Sequence, residues 1–265
     1  MRFLSISSGS SGNCIYVGTR NHHLLIDDGI PGKRVVEGLQ QAGIRPDELT
    51  GILITHEHSD HIKGLGVLLR KCSIPVYATA GTIRAMLSGG TLGKVDEALF
   101  HPIGREDEFQ LGDMKIHPIP VPHDAADPVA YRIFDGKRSA AVVTDLGEYD
   151  SRITQELKGL DLVMVEANHD IRMLELGPYP YYLKDRIRSR RGHLCNEAAG
   201  QLVSEILHDD IRHLVLGHLS KENNYPLLAE ETVKLEIDGS DNKYKASDFP
   251  LDTAPRDRCG ICYEF

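Results

Sequence analysis

Within the run Ile52-Leu53-Ile54-Thr55-His56-Glu57-His58-Ser59-Asp60-His61, a short apolar strand delivers His56, His58, Asp60 and His61 into one turn and the start of a helix. Imidazole nitrogen and carboxylate oxygen are the donors that Zn, Mn or Fe accept as divalent ions. Crowding four such groups costs packing and solvation unless a cation neutralises them. Three further candidates follow apolar stretches, at strand ends where an α/β scaffold presents functional groups. His123 comes after Ile116–Val121, Asp145 closes Ala140-Ala141-Val142-Val143-Thr144, and His218 closes Leu214-Val215-Leu216-Gly217. Together the seven side chains supply what two adjacent divalent metals need, with one carboxylate free to bridge. Metals about 3.5–4 Å apart activate a water and stabilise the leaving oxygen of a displacement.

Positioning these groups requires short buried strands alternating with helices. Strand-like runs appear at Phe3–Ile6, Cys14–Val17, Leu24–Ile26, Ile52–Ile54 and Pro75–Ala78. Helical spacing covers Lys33–Ala42, Ile62–Lys71 and Thr82–Leu87. From Phe109 to Val143 the pattern changes to strands alone: Phe109–Leu111, Lys115–Pro120, Val129–Phe134 and Ala140–Val143. Helices return at Ile153–Lys158, Asn196–His208 and Leu227–Glu236, with buried strands at Leu162–Val165 and His213–Leu216 between them. The polar stretch Asp238–Arg258 reads as the loosest part, and no linker or repeat interrupts the rest. One α/β domain over 1–265, with two mixed sheets and outer helices, is the economical reading.

Composition narrows the class. The 265 residues carry 30 Lys+Arg against 39 Asp+Glu, a formal charge of −9. Such a chain does not coat nucleic acid or anionic membrane over its whole surface, though a local basic patch is compatible with it. No apolar run approaches the roughly 18 residues of a membrane-spanning helix, and no leader pattern opens the chain, so the expected location is cytoplasmic. Five scattered cysteines argue against a disulfide framework. Cys259-Gly-Ile-Cys262 has the spacing of half a zinc knuckle but lacks a second pair. Ser7-Ser8-Gly9-Ser10-Ser11-Gly12-Asn13 lies between two strands and lacks a following Lys-Ser/Thr. It reads as a tight hairpin rather than a phosphate loop.

The His-x-His-x-Asp-His run with a downstream His, Asp and His resembles the metallo-β-lactamase superfamily, over most of the chain. The resemblance implies a four-layer αββα sandwich of two mixed β-sheets. It also implies a ligand set: His56, His58 and His123 on one metal, Asp60, His61 and His218 on the other, and Asp145 bridging. Asp27, in Leu24-Leu25-Ile26-Asp27-Asp28-Gly29, matches the family's first motif and is expected to orient a ligand histidine. Four further motifs are similar to the YycJ (WalJ) group of bacterial DNA exonucleases. They are Gly9–Asn13, Glu166-Ala167-Asn168-His169-Asp170, Gly192-His193-Leu194-Cys195-Asn196 and His218–Asn224. By that likeness a hydroxide held between two metals attacks a phosphodiester, Asp60 accepts a proton, and His193 or His169 protonates the leaving group.

The same metal frame also hydrolyses thioesters and lactones, as in glyoxalase II, so that alternative stands beside the nuclease. A metal-holding regulatory module without turnover is the rival from another class. Lys184-Asp185-Arg186-Ile187-Arg188-Ser189-Arg190-Arg191 favours phosphate: Arg188, Arg190 and Arg191 are candidate backbone contacts, with Asn196 beside them. The competing reading is a solvated basic face that ties down acidic neighbours. Tyr179, Tyr181 and Tyr182 precede this run and could stack on bases. The expected partner is thus a nucleic acid, DNA before RNA. The sequence is silent on oligomeric state.

Overall fold

The computed structural model describes residues 1–265, which divide into two compact units: Met1–Pro120 with Ala125–Arg138 and Pro255–Phe265, and Val121–Asp124 with Ser139–Ala254. The first unit opens with β1 (Arg2–Ser7), β2 (Cys14–Gly18) and β3 (His23–Ile26), an antiparallel meander. The Ser/Gly-rich segment is the turn between β1 and β2, as expected of a hairpin. Helix α1 (Gly32–Gln41) then crosses to β4 (Gly51–Leu53), which pairs parallel to β3. Val35 and Leu39 are its buried face, and Gly38 lets it approach β1, since a Cβ there would lie 2.4 Å from Ile6 Cγ2. Gly43, at φ 73°, turns the chain out of the helix.

The helix expected over Ile62–Lys71 is two pieces, α2 (Ser59–Ile62) and α3 (Leu65–Leu69). The break falls at Gly64, where a Cβ would meet Ile30 O at 2.1 Å. This close approach presses the start of the helix onto the end of β3. Strand β5 (Val76–Thr79), α4 (Ala80–Ser88) and β6 (Phe100–Ile103) complete a sheet of order β14-β1-β2-β3-β4-β5-β6, whose last strand in sequence is β14 (Cys262–Glu264). Leu4, Ile6, Leu25, Ile52, Ile54, Leu65 and Leu68 are its apolar core.

The second sheet begins with the antiparallel strands β7 (Phe109–Leu111), β8 (Met114–Pro120) and β9 (Val129–Phe134). It ends with the parallel strands β10 (Ser139–Val143), β11 (Leu162–Glu166), β12 (His213–Gly217) and β13 (Leu251–Thr253). Both sheets are therefore mixed, with seven strands each. Helices α5 (Ser151–Leu157), α6 (Ile171–Leu176), α7 (Tyr181–Arg188), α8 (Asn196–Ile206) and α9 (Pro226–Gly239) belong to the second unit. β10, β11 and β12 are buried along almost their whole length, so their sequences run apolar without alternation. β13, inside the stretch expected to be loose, is a half-exposed edge of three residues. No helix is long and apolar enough to cross a membrane.

Candidate metal centre

In the first unit, β3 and β4 run parallel and end side by side, so the residues after them meet. Asp27, just past β3, adopts φ 62° and is buried. Its Oδ1 accepts the Thr55 backbone N–H at 2.8 Å, and its Oδ2 accepts the Thr55 hydroxyl at 2.9 Å and lies 2.7 Å from His61 Nδ1. A carboxylate at that distance keeps the proton on Nδ1 and leaves the His61 Nε2 lone pair available. His56 Nδ1 lies 3.0 Å from the Thr55 hydroxyl. The rings of His56 and His61 stand 4.1 Å apart between centroids, and those of His56 and His58 4.6 Å. Asp60 Oδ2 is 3.6 Å from His61 Nε2, with Asn13 Nδ2 at 3.1 Å from the same nitrogen. The β1–β2 turn is fastened here as well: Asn13 N donates to Asp60 O at 2.8 Å, and Gly29 N to Asn13 O at 2.8 Å.

In the second unit, His123, Asp145 and His218 are buried together. Asp145 Oδ1 lies 3.9 Å from His123 Nε2 and 3.5 Å from His218 Nε2. Asp145 and His218 adopt φ 60° and 54°. With Asp27 they are the chain's three non-glycine residues at positive φ, and all three are candidate site residues. Left-handed backbone in such residues costs of order 1–3 kcal/mol and persists where surrounding structure enforces it. His123 Nδ1 is 3.1 Å from Gly192 O, which places the proton on Nδ1 and the lone pair on Nε2. The His123 carbonyl in turn accepts Arg191 Nε at 3.0 Å and Nη2 at 2.7 Å.

Glu166, at the end of β11, organises this half of the site, a role that reading the sequence did not assign to it. It is fully buried, and its Oε1 lies 2.7 Å from His193 Nδ1 and 2.9 Å from His218 Nδ1. Its Oε2 accepts the backbone N–H groups of Leu146 at 3.0 Å and Leu194 at 3.3 Å. Burial works against the charge, but His193 and His218 win and hold the Glu166 carboxyl down to about 2. Burial lowers His193 in the same way, and the opposing Glu166 charge and hydrogen bond leave it raised. The signal that would have found Glu166 is the strand-end position that also marked Asp145 and His218.

The remaining sequence candidates separate. His169 is buried, its Nδ1 has no hydrogen-bond partner, and burial lowers its pKa to about 4, so it is neutral near pH 7. Near pH 7 little of it carries the proton to be donated, which favours His193, beside the Glu166 carboxylate, for proton donation. Asn196 is fully buried and pairs reciprocally with Asn224, at 3.1 and 2.8 Å. Its amide is committed to the interior. The basic run is largely engaged with neighbours: Arg186 with Asp124, Arg188 with Asp185 and Glu175, Arg190 with Glu148, and Arg191 with the His123 carbonyl. Arg186, Arg188 and Arg190 thus have the acidic partners that the competing reading expects, while Arg191 is held by a carbonyl. Cys259 and Cys262 pack against the first unit's apolar core, and burial raises both thiols.

The donors fit divalent metals. His61, His123 and His218 each have Nδ1 held by a carboxylate or carbonyl, the arrangement that presents Nε2 as a ligand. Within the second unit, ligand atoms of Asp145, Glu166, His193 and His218 all lie within 4.8 Å of one another.

Comparison with known proteins gives a consistent result. The family model described as β-lactamase superfamily domain matches residues 24–219. An exodeoxyribonuclease YycJ of Bacillus anthracis is 40% identical over 235 residues, 88% of either chain. An exodeoxyribonuclease WalJ of Streptococcus pneumoniae is 38% identical over 254 residues, 96% of this chain and 94% of that one. Among solved structures, Zn(2+)-bound PqqB from Methylobacterium extorquens superposes with a TM-score of 0.74 at 14% identity, covering all of both chains. The last likeness concerns the fold alone, and that fold is the one the sequence led us to expect.

Proposed function

Because the chain belongs to the β-lactamase superfamily domain family and is a metal-dependent hydrolase, we propose that it is an exonuclease acting on the phosphodiester bonds of DNA. The observation that carries this reading is the presence of all seven expected donor residues in a chain 38–40% identical to two exodeoxyribonucleases. His56, His58 and His123 would hold one divalent metal, Asp60, His61 and His218 a second, with Asp145 bridging. The family supports that division, and zinc or manganese suits the donors. When bound, the metals supply an activated water and charge stabilisation for the leaving oxygen.

The protein's own groups do the rest. Asp27 fixes the His61 ring, and Glu166 fixes the rings of His218 and His193. Asp60, partly exposed like His58 where His56 and His61 are buried, would accept a proton from the attacking water. His193, only 19% exposed and with its Nδ1 2.7 Å from Glu166 Oε1, donates a proton to the departing oxygen. The decisive experiment is a metal-supplemented assay of end-labelled single- and double-stranded DNA and RNA, beside a thioester and a lactone. Release of mononucleotides from DNA is expected. Turnover confined to the thioester or the lactone would overturn the nuclease.

A further inference from the structure

Four of the ten large apolar side chains exposed in this protein fall in one short segment of the second unit: Ile171, Leu176, Tyr181 and Tyr182. Leu176 is 88% exposed and each tyrosine 75%. Single exposed apolar groups are ordinary, but a local concentration marks a surface that something covers. The same stretch, from Asp170 to Arg191, holds six basic residues against three acidic ones, a net +3 in a chain of −9. Two of its arginines, Arg186 and Arg190, pair with Asp124 and Glu148 outside the stretch, and with those acids counted it still carries a net +1.

The geometry ties this surface to the candidate centre. On α7, Ile187 faces inward, whereas Tyr181 and Tyr182 face solvent at the opening turn. One turn beyond Tyr182, Arg186 grips Asp124, the residue after His123, with Nε–Oδ2 at 2.5 Å and Nη2–Oδ1 at 3.2 Å. At the end of the helix, the Ile187 carbonyl accepts the His193 N–H at 2.9 Å. Thus α7 is anchored at one end beside His123 and His193 and carries its two tyrosines about 9 Å away along its axis.

We propose that the outer surface of α6 and α7 is a stacking platform for unpaired bases of a single-stranded nucleic acid whose end enters the metal centre. Tyr181 and Tyr182 stack on bases, Leu176 extends the apolar face, and exposed Arg172 meets the phosphate backbone. The charge selects this occupant over a second copy of the chain. A two-fold contact would set a surface of net positive charge against itself. The inference rests on the proposed exonuclease reading, and it names where that enzyme holds its substrate.

The test compares Tyr181→Ala/Tyr182→Ala and Tyr181→Phe/Tyr182→Phe with the unaltered protein. Binding of a labelled single-stranded oligonucleotide is followed by anisotropy, hydrolysis of that oligonucleotide separately, and turnover of bis(p-nitrophenyl) phosphate as a diester without bases. The alanine pair should weaken binding and raise KM about 10–100-fold, with kcat and small-diester turnover unchanged. The phenylalanine pair should restore both. Abasic sites near the substrate end should reproduce the loss in the unaltered protein and add nothing to the alanine pair. Equal binding by all three proteins overturns the platform, as does an equal loss on the small diester. A change from dimer to monomer in the alanine pair, seen by sedimentation, assigns the surface to self-association and overturns it too. Tyrosine-dependent binding without cleavage would instead sink the exonuclease reading and leave the platform standing.

Discussion

His61 shows how much of the centre depends on single polar contacts. Its Nδ1 is held by Asp27 at 2.7 Å, in a setting where neither side chain reaches bulk water. Asp27→Ala should therefore lower metal affinity roughly 10–100-fold, as loss of a ligand's orienting partner does elsewhere. Isothermal titration with zinc or manganese measures this directly. His58→Ala and Asp145→Ala should abolish hydrolysis with the circular dichroism spectrum unchanged; activity in both would overturn the metal assignment. His169 makes a different prediction. Burial depresses its pKa from 6.5 to about 4, so the folded state binds that proton less readily than the unfolded chain. Its contribution is fully present above pH 6.5 and is lost as pH falls through about 4. Denaturant titrations of the unaltered protein should lose about 3 kcal/mol more over that window than those of His169→Asn. Parallel pH profiles would remove the assignment of that cost to His169.

At the scale of elements, glycines set where the site loops sit. A Cβ on Gly29 would lie 1.6 Å from Asp60 O, and one on Gly192 would lie 2.1 Å from Ile187 O. Neither backbone neighbour can swing away as a side chain would. Gly29→Ala should cost about 1–3 kcal/mol by overpacking and should weaken metal binding, because the turn bearing Asp60 and His61 must shift. Thermal unfolding in the presence and absence of metal separates the two effects. The strands before Asp27, Asp145 and His218 were legible because buried parallel strands read as apolar runs. The helices α6 and α7 were not, since proline-bounded segments of six and eight residues with much of their surface exposed carry little periodicity. β13 and β14 were missed for a related reason: three-residue strands owe their existence to the neighbour they pair with.

For the whole molecule, the net charge of −9 includes Asp27, Asp60 and Asp145, which belong to the candidate centre. Two divalent cations would offset about four of those charges. Chelation should therefore lower the melting temperature, and readdition should restore it. Saturation at a hundred times the dissociation constant contributes about 2.7 kcal/mol per site. A melting temperature indifferent to both chelator and metal would contradict the assignment. Engagement of Arg188 and Arg190 with Asp185, Glu175 and Glu148 bears on substrate binding as well. Charge-neutralising changes there should alter the salt slope of DNA binding by less than the full unit per phosphate contact expected of unpaired cations.

Sequence by itself named the candidate donors, because metal chemistry restricts the residue types and the strand-end spacing restricts their positions. Apolar runs and turn chemistry also determined the α/β class and the hairpin at Gly9–Asn13, and the resemblance of the His/Asp motifs named the fold family. Tertiary structure alone decided which groups hold those donors in place. Glu166 lies 27 residues before His193 and 52 before His218, and no local pattern links them. Tertiary structure likewise decided that Asn196 faces Asn224 in the interior and that His193, not His169, stands beside a carboxylate. Hydrogen-bond partners and burial arise from packing between distant segments, so residue type and spacing along the chain do not specify them.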